Sequence, residues 1–241
     1  MGILRTKTIE PATGSTLTLG ASGDTITVSS DSIKANTFKD AGGNTLFTSD
    51  GAGTLSSVNS ALAPGGPILI STHTASGSSS VDITSGIDST YDEYMFVFTD
   101  INPATNNVSF QFDTSTDGGS NYGMTKTTTV FQTEHQESDA YAGMQYRASQ
   151  DLAQSASDQI LCYSLGNASD ESAAGVLHLF SPSSTTYVKH FYSRTCYTSG
   201  SDSLWTLHVA GYINDTNDID AVQFMMSSGN FDGVIQMYGI A

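Results

Sequence analysis

A chain of 241 residues with 38% hydrophobic and 10% aromatic content has the apolar supply of a globular protein, not of a disordered one. Its 24 acidic residues against 8 basic ones leave a net charge of −16, which repels phosphate backbones and argues against nucleic-acid binding. No apolar stretch has the length of a membrane span or a secretory leader, so neither membrane insertion nor signal-directed export is expected.

The chain begins with a short apolar–basic strand, Ile3 to Ile9, ended by Pro11. Residues 16–60 then alternate apolar positions with Thr and Ser, cut every few residues by Gly, Asp-Gly or Gly-Asn. Leu17, Leu19, Ile26, Val28, Ile33, Phe38, Leu46, Phe47 and Leu55 are nearly all the apolar bulk of this part. So few side chains do not offset backbone ordering at roughly 1–2 kcal/mol per residue. Residues 1–60 either lack structure or bury their stripes against copies of themselves or another protein. They are also near neutral, with Arg5, Lys7, Lys34 and Lys39 set against Glu10, Asp24, Asp31, Asp40 and Asp50.

The Pro- and Gly-dense stretch 61–67, ALAPGGP, reads as a linker, and residues 68–241 as a separate domain. Period-two strands are predicted at 68–75, 80–84, 93–101, 107–114, 124–132, 141–148, 159–165, 175–181, 187–197, 203–214, 221–227 and 233–239. In 107–114, Val108, Phe110 and Phe112 share one face, while Ser109, Gln111 and Asp113 take the other, wet one. In 203–214 the better core face is Trp205, Leu207, Val209, Gly211 and Ile213. A short helix is expected only near Asp151–Ser157. The fold class is therefore all-β: an extended, strand-rich N-terminal segment followed by an antiparallel β-sandwich, most simply a jelly roll.

The opening ILRTKTIEPATGSTLTLGASGDTITV and the later KDAGGNTLFTSDGAGTL resemble N-terminal segments of tail-fibre and head-fibre proteins of marine bacteriophages. SSVDITSGIDSTYDEYMFVFTDINPATNNVSFQFDTSTDGGSNY and the closing GNFDGVIQMYGIA look like the β-sandwich that often follows in such fibres. The resemblance implies a virion protein assembled in the host cytoplasm, a homotrimer docked on portal, tail or capsid proteins. Leu17, Leu19, Ile26, Val28, Phe38 and Leu46 are then the candidate attachment and trimer-interface residues, since three copies facing one axis form a core that one copy lacks. The expected function is a short fibre or knob with a part in host adhesion. The alternatives are a capsid decoration protein and, less in keeping with the length of the chain, a glycan depolymerase.

For chemistry, Tyr141, Tyr146, Tyr187, Tyr192 and Tyr197 offer flat amphipathic faces for stacking on a host surface glycan, with Tyr141, Tyr146, Tyr192 and Tyr197 the chosen candidates. No cofactor is expected. Asp113 with Asp117, and Asp215 with Asp218, lie in oxygen-rich loops with the look of calcium sites, but Met124 stands where a calcium loop carries its Glu. Hairpin loops are the simpler reading of both. Cys162 and Cys196 fall in separate strands and can pair only if those strands are neighbours. His178, His190 and His208 lie in strands whose parity can bring two onto one face, and each reads as structural. No nucleophile elbow is present, and no catalytic residue is expected.

Overall fold

The computed structural model describes residues 37–40, 42–50, 52, 55–56, 58 and 66–240. The chain divides into two compact units, Met1–Pro64 and Gly65–Ala241. Of the candidate interface residues, Leu17, Leu19, Ile26 and Val28 lie outside the described residues.

In the first unit, β1 (Thr37–Lys39), β2 (Thr45–Ser49) and β3 (Leu55–Ser56) form a three-stranded antiparallel sheet. The β1–β2 turn is set by Asp40, whose carboxylate accepts the Asn44 backbone N–H at 2.8 Å and its side-chain amide at 3.0 Å. The Asn44 bonds hold the Asp40 carboxyl below the usual carboxylate range. Phe38 faces Phe47 in the register and stacks on it at 4.6 Å, with both rings half-buried, as is Leu46. Leu55 is 56% exposed, and none of the described residues of this unit is buried.

The second unit carries twelve strands: β4 (Pro67–Ser78), β5 (Ser80–Ile83), β6 (Glu93–Pro103), β7 (Val108–Ser115), β8 (Lys126–Gln136), β9 (Ala142–Tyr146), β10 (Gln159–Leu165), β11 (Ala173–Phe180), β12 (Lys189–Ser199), β13 (Ser203–Ile213), β14 (Ala221–Met226) and β15 (Phe231–Ile240). Eight of them pair as a long antiparallel hairpin folded on itself: β4 with β15, β5 with β14, β6 with β11, β7 with β10. Cross-links of β15 to β6 and of β14 to β7 complete two four-stranded sheets, β4-β15-β6-β11 and β5-β14-β7-β10. That strand order is a jelly roll. The other four strands widen the first sheet in the order β11-β12-β13-β8-β9, and the two sheets touch along an edge at Leu165 and Ser199.

The core lies between the sheets. Phe224 of β14 meets Phe96 and Phe98 of β6 at 5.5 and 5.2 Å, and Phe110 and Phe112 of its neighbour β7 at 6.0 and 6.4 Å. Phe112 in turn meets Phe191 of β12 edge-on at 5.0 Å. In β13 the expected face is inside, with Trp205, Leu207, Val209 and Ile213 buried and Leu204 half-exposed.

Strict alternation fails in β6 after Phe98. Asp100 takes a positive φ of 53° and the register slips there, so Ile101, which unbroken alternation would turn outward with Met95 and Val97, turns into the core. Gly233 of β15 makes this possible, at φ 141° with only 2.9 Å between an added Cβ and the Asp100 carbonyl oxygen. Gly233→Ala is expected to destabilise the protein by about 1–3 kcal/mol through strain at this φ and crowding of the bulge. A urea midpoint unchanged by that substitution would contradict this assignment.

One local expectation is corrected, and the open question of the cysteines is answered. Residues 151–157 form no helix, because their backbone is committed to the free edge of β8: Thr128 N–H donates to Leu152 O at 2.9 Å, and Lys126 and Ser155 exchange both bonds at 2.8 and 3.0 Å. Cys162 and Cys196 are both free, since Cys162 faces the core from β10 and Cys196 lies on the exposed face of β12. Burial pushes the Cys162 thiol up to about 12.

Candidate functional site

The widened sheet turns one face to the core and the other to solvent. Along β12, Phe191, Ser193, Thr195 and Tyr197 point in, while His190, Tyr192, Arg194 and Cys196 point out. Register then aligns side chains of four strands into rows across the outer face. One row runs His178, Tyr192, Ala210, Thr129, and the next Val176, Arg194, His208, Phe131. Together they line a shallow dish of about 490 Å³. The second row continues to Tyr146 on β9, where Phe131, Met144 and Tyr146 border a further hollow.

The rings in the dish are held in place. His178 stacks on Tyr192 at 4.5 Å, and its Nδ1 lies 2.5 Å from the Glu93 carboxylate on β6, which orients the imidazole. Phe131 and His208 lie nearly parallel at 4.6 Å. Burial, then the neighbouring Arg194 charge, lowers the His208 pKa, so the neutral ring is the favoured form.

Arg194 is unusual for its company. Only four cations occur in residues 66–240: Lys126, Arg147, Lys189 and Arg194. Lys126 and Lys189 are buried. Arg147 packs over the rings of Tyr163 and Trp205 at 5.4 and 5.3 Å and donates from Nε to Gln132 at 2.7 Å. Arg194 is the one exposed cation among the described residues of this unit, and it sits in the dish.

The tyrosines separate by strand parity. Tyr192 belongs to the dish, Tyr146 to the neighbouring hollow, and Tyr141 is exposed before β9. Tyr187, also exposed, precedes β12. Tyr197 does not reach the surface: it is 2% exposed, and its hydroxyl accepts the Tyr163 backbone N–H at 2.9 Å. As a glycan contact it is withdrawn, because its parity in β12 is that of Phe191 and not of Tyr192. Sequence reading passed over Phe131 and Arg194, and it took His178 and His208 as structural although their parity does bring both onto this face. The usable signal for Arg194 was its position two residues after Tyr192 in a segment with almost no other cation.

Both oxygen-rich loops hold a lysine ammonium where a bound cation was considered. Lys126 Nζ lies 2.6 Å from Asp113 Oδ1 and donates to the Met124 and Ser157 carbonyls at 2.7 and 3.4 Å. Lys189 Nζ donates to the carbonyls of Asp215, at 3.3 Å, and Asn217. Asp113, expected on a wet face, is fully buried under the chain returning from β7 to β8. Burial pushes its carboxyl up and the Lys126 ammonium down, and the charge of each partner counters the shift of the other.

Asp117 instead caps its own turn. It accepts from the Ser115 hydroxyl at 2.7 Å and from the Asn121 N–H and amide at 2.9 and 2.6 Å, bonds that lower its pKa to about 2. A carboxylate depressed in the fold stabilises above its unfolded value of 3.8, and that contribution is lost as the pH falls through about 2. Titrating the Asp117 carboxyl by NMR should therefore show a midpoint near 2, and a midpoint near 4 would contradict the cap. Asp215 likewise accepts the Asn217 N–H at 2.7 Å. Among the described residues, no group of three or more His, Cys, Asp or Glu side chains is placed to hold a metal ion.

No protein-family model, curated protein or solved structure matches the chain. Its reading rests on the residues and their arrangement. The dish offers stacking planes, two oriented imidazoles and one fixed positive charge.

Proposed function

We propose that this chain is a non-enzymatic appendage of a bacteriophage particle, a short trimeric fibre or knob whose jelly-roll unit adheres to a glycan on the host surface. The N-terminal text that resembles marine phage fibres supports the virion setting. The lack of any buried residue among the described part of the first unit supports an association through that end with sister chains and the particle.

The observation that carries the adhesive role is the dish of exposed, stacked rings on a sheet face that the core does not need. Flat aromatic faces suit the apolar sides of sugar rings, and a shallow site binds weakly. Three subunits, and many appendages, raise weak contacts to useful avidity. A capsid decoration role shares the argument from the first unit but gives the dish no task.

Gold-labelled antibody against the chain, applied to purified particles, tests this reading. Label confined to the tail or to vertices is the expected result. Uniform label over the shell would replace it with the decoration role, and unlabelled particles would remove the virion setting.

A further inference from the structure

The unit Gly65–Ala241 is strongly acidic, yet its one exposed cation among the described residues lies in the middle of its aromatic dish. Among the described residues Arg194 has no ion pair; its cross-strand neighbour in the dish is the His208 imidazole, with His178 in the adjacent row. The carboxylate that contacts a dish residue, Glu93, is already engaged by His178. The dish is thus a small positive spot on a negative body, floored by Val176 and Ala210 and walled by Tyr192 and Phe131.

We infer that the dish is the binding site for a carboxylate-bearing sugar, a hexuronate residue of a host surface polysaccharide. A planar guanidinium takes a carboxylate through two parallel N–H···O bonds, which a neutral sugar cannot offer. Tyr192 stands two residues from Arg194 along β12, roughly 7 Å away, the distance at which a pyranose held by its carboxylate reaches a stacking face. The acidic remainder of the surface repels the same polyanion, which confines contact to the dish and fixes its register.

This inference rests on the adhesive reading above, and the experiment separates the two. The full-length protein is titrated by calorimetry with tetragalacturonate and, in parallel, with maltotetraose as its neutral counterpart. The uronate should bind at least about tenfold tighter, and its affinity should fall as salt rises. Arg194→Gln should abolish that preference, and Arg194→Lys should restore part of it; melting curves matching the wild type confirm that both variants are folded. Phe131→Ala should weaken both sugars. Equal binding of the two sugars, or a uronate affinity unmoved by Arg194→Gln, overturns the inference while leaving adhesion in place. Binding of neither sugar overturns both.

Discussion

Lys126→Met should lower the free energy of unfolding by about 3–5 kcal/mol, because it leaves the fully buried Asp113 carboxylate without its counter-charge. The ammonium also donates to the Met124 and Ser157 carbonyls, so its loss takes a donor from two further acceptors. The loss should depend on pH. Burial already raises the Asp113 carboxyl, and without Lys126 the largest opposing influence is gone, leaving the Thr114 N–H bond to counter that shift. A buried carboxyl with a folded-state pKa above its unfolded one costs stability as the pH rises, since only the unfolded state then ionises freely. The deficit should thus be smallest in acid and grow toward neutral pH. Asp113→Asn combined with Lys126→Met should recover part of it, because the uncompensated charge is gone. Urea midpoints at constant slope, taken at two pH values, read all of this. A Lys126→Met protein within about 1 kcal/mol of wild type at neutral pH would contradict the internal-cation role.

Phe224→Ala should cost a similar amount, about 3–5 kcal/mol, for a different reason. Its ring touches Phe96 and Phe98 on one sheet and Phe110 and Phe112 on its own. Removing it opens a cavity at the one place where four rings from both layers converge, and the strands around it are pinned by register. Phe224→Leu should lose less, since most of the volume stays. Calorimetric melting of both variants gives the comparison, and equal losses would argue against cavity formation as the cause.

These two positions mark how far the sequence carried. Phe224 was readable, for it lies in a strand predicted at 221–227, flanked by turn text. The same period-two signal located all twelve strands of the second unit and the inward face of β13, because one buried face per strand imposes alternation. Asp113 was misread as wet, since alternation reports what a strand needs and not what a later loop lays over it. The bulge at Asp100 escaped for a related reason: one residue of positive φ leaves no composition signal except a glycine on the neighbouring strand. Residues 151–157 look helical in isolation, yet the unpaired edge of β8 claims their backbone. Three exposed tyrosines were legible as surface candidates, but the dish was not. It is assembled by cross-strand register among β11, β12, β13 and β8, which lie up to about eighty residues apart in the chain.

The two units divide the labour by composition. Gly65–Ala241 has a core of its own, dense in interlocking aromatic side chains, and can hold a binding face rigid. In the first unit the stacked Phe38 and Phe47 remain half-buried, with no partner layer among the described residues to cover them. We propose that a core shared among three copies supplies what each copy lacks.

Light scattering on the full-length protein during size-exclusion chromatography tests that claim most directly. A single species of three chain masses, persisting on dilution to micromolar concentration, is the result expected of a trimeric appendage. A monodisperse monomer at that concentration would contradict it.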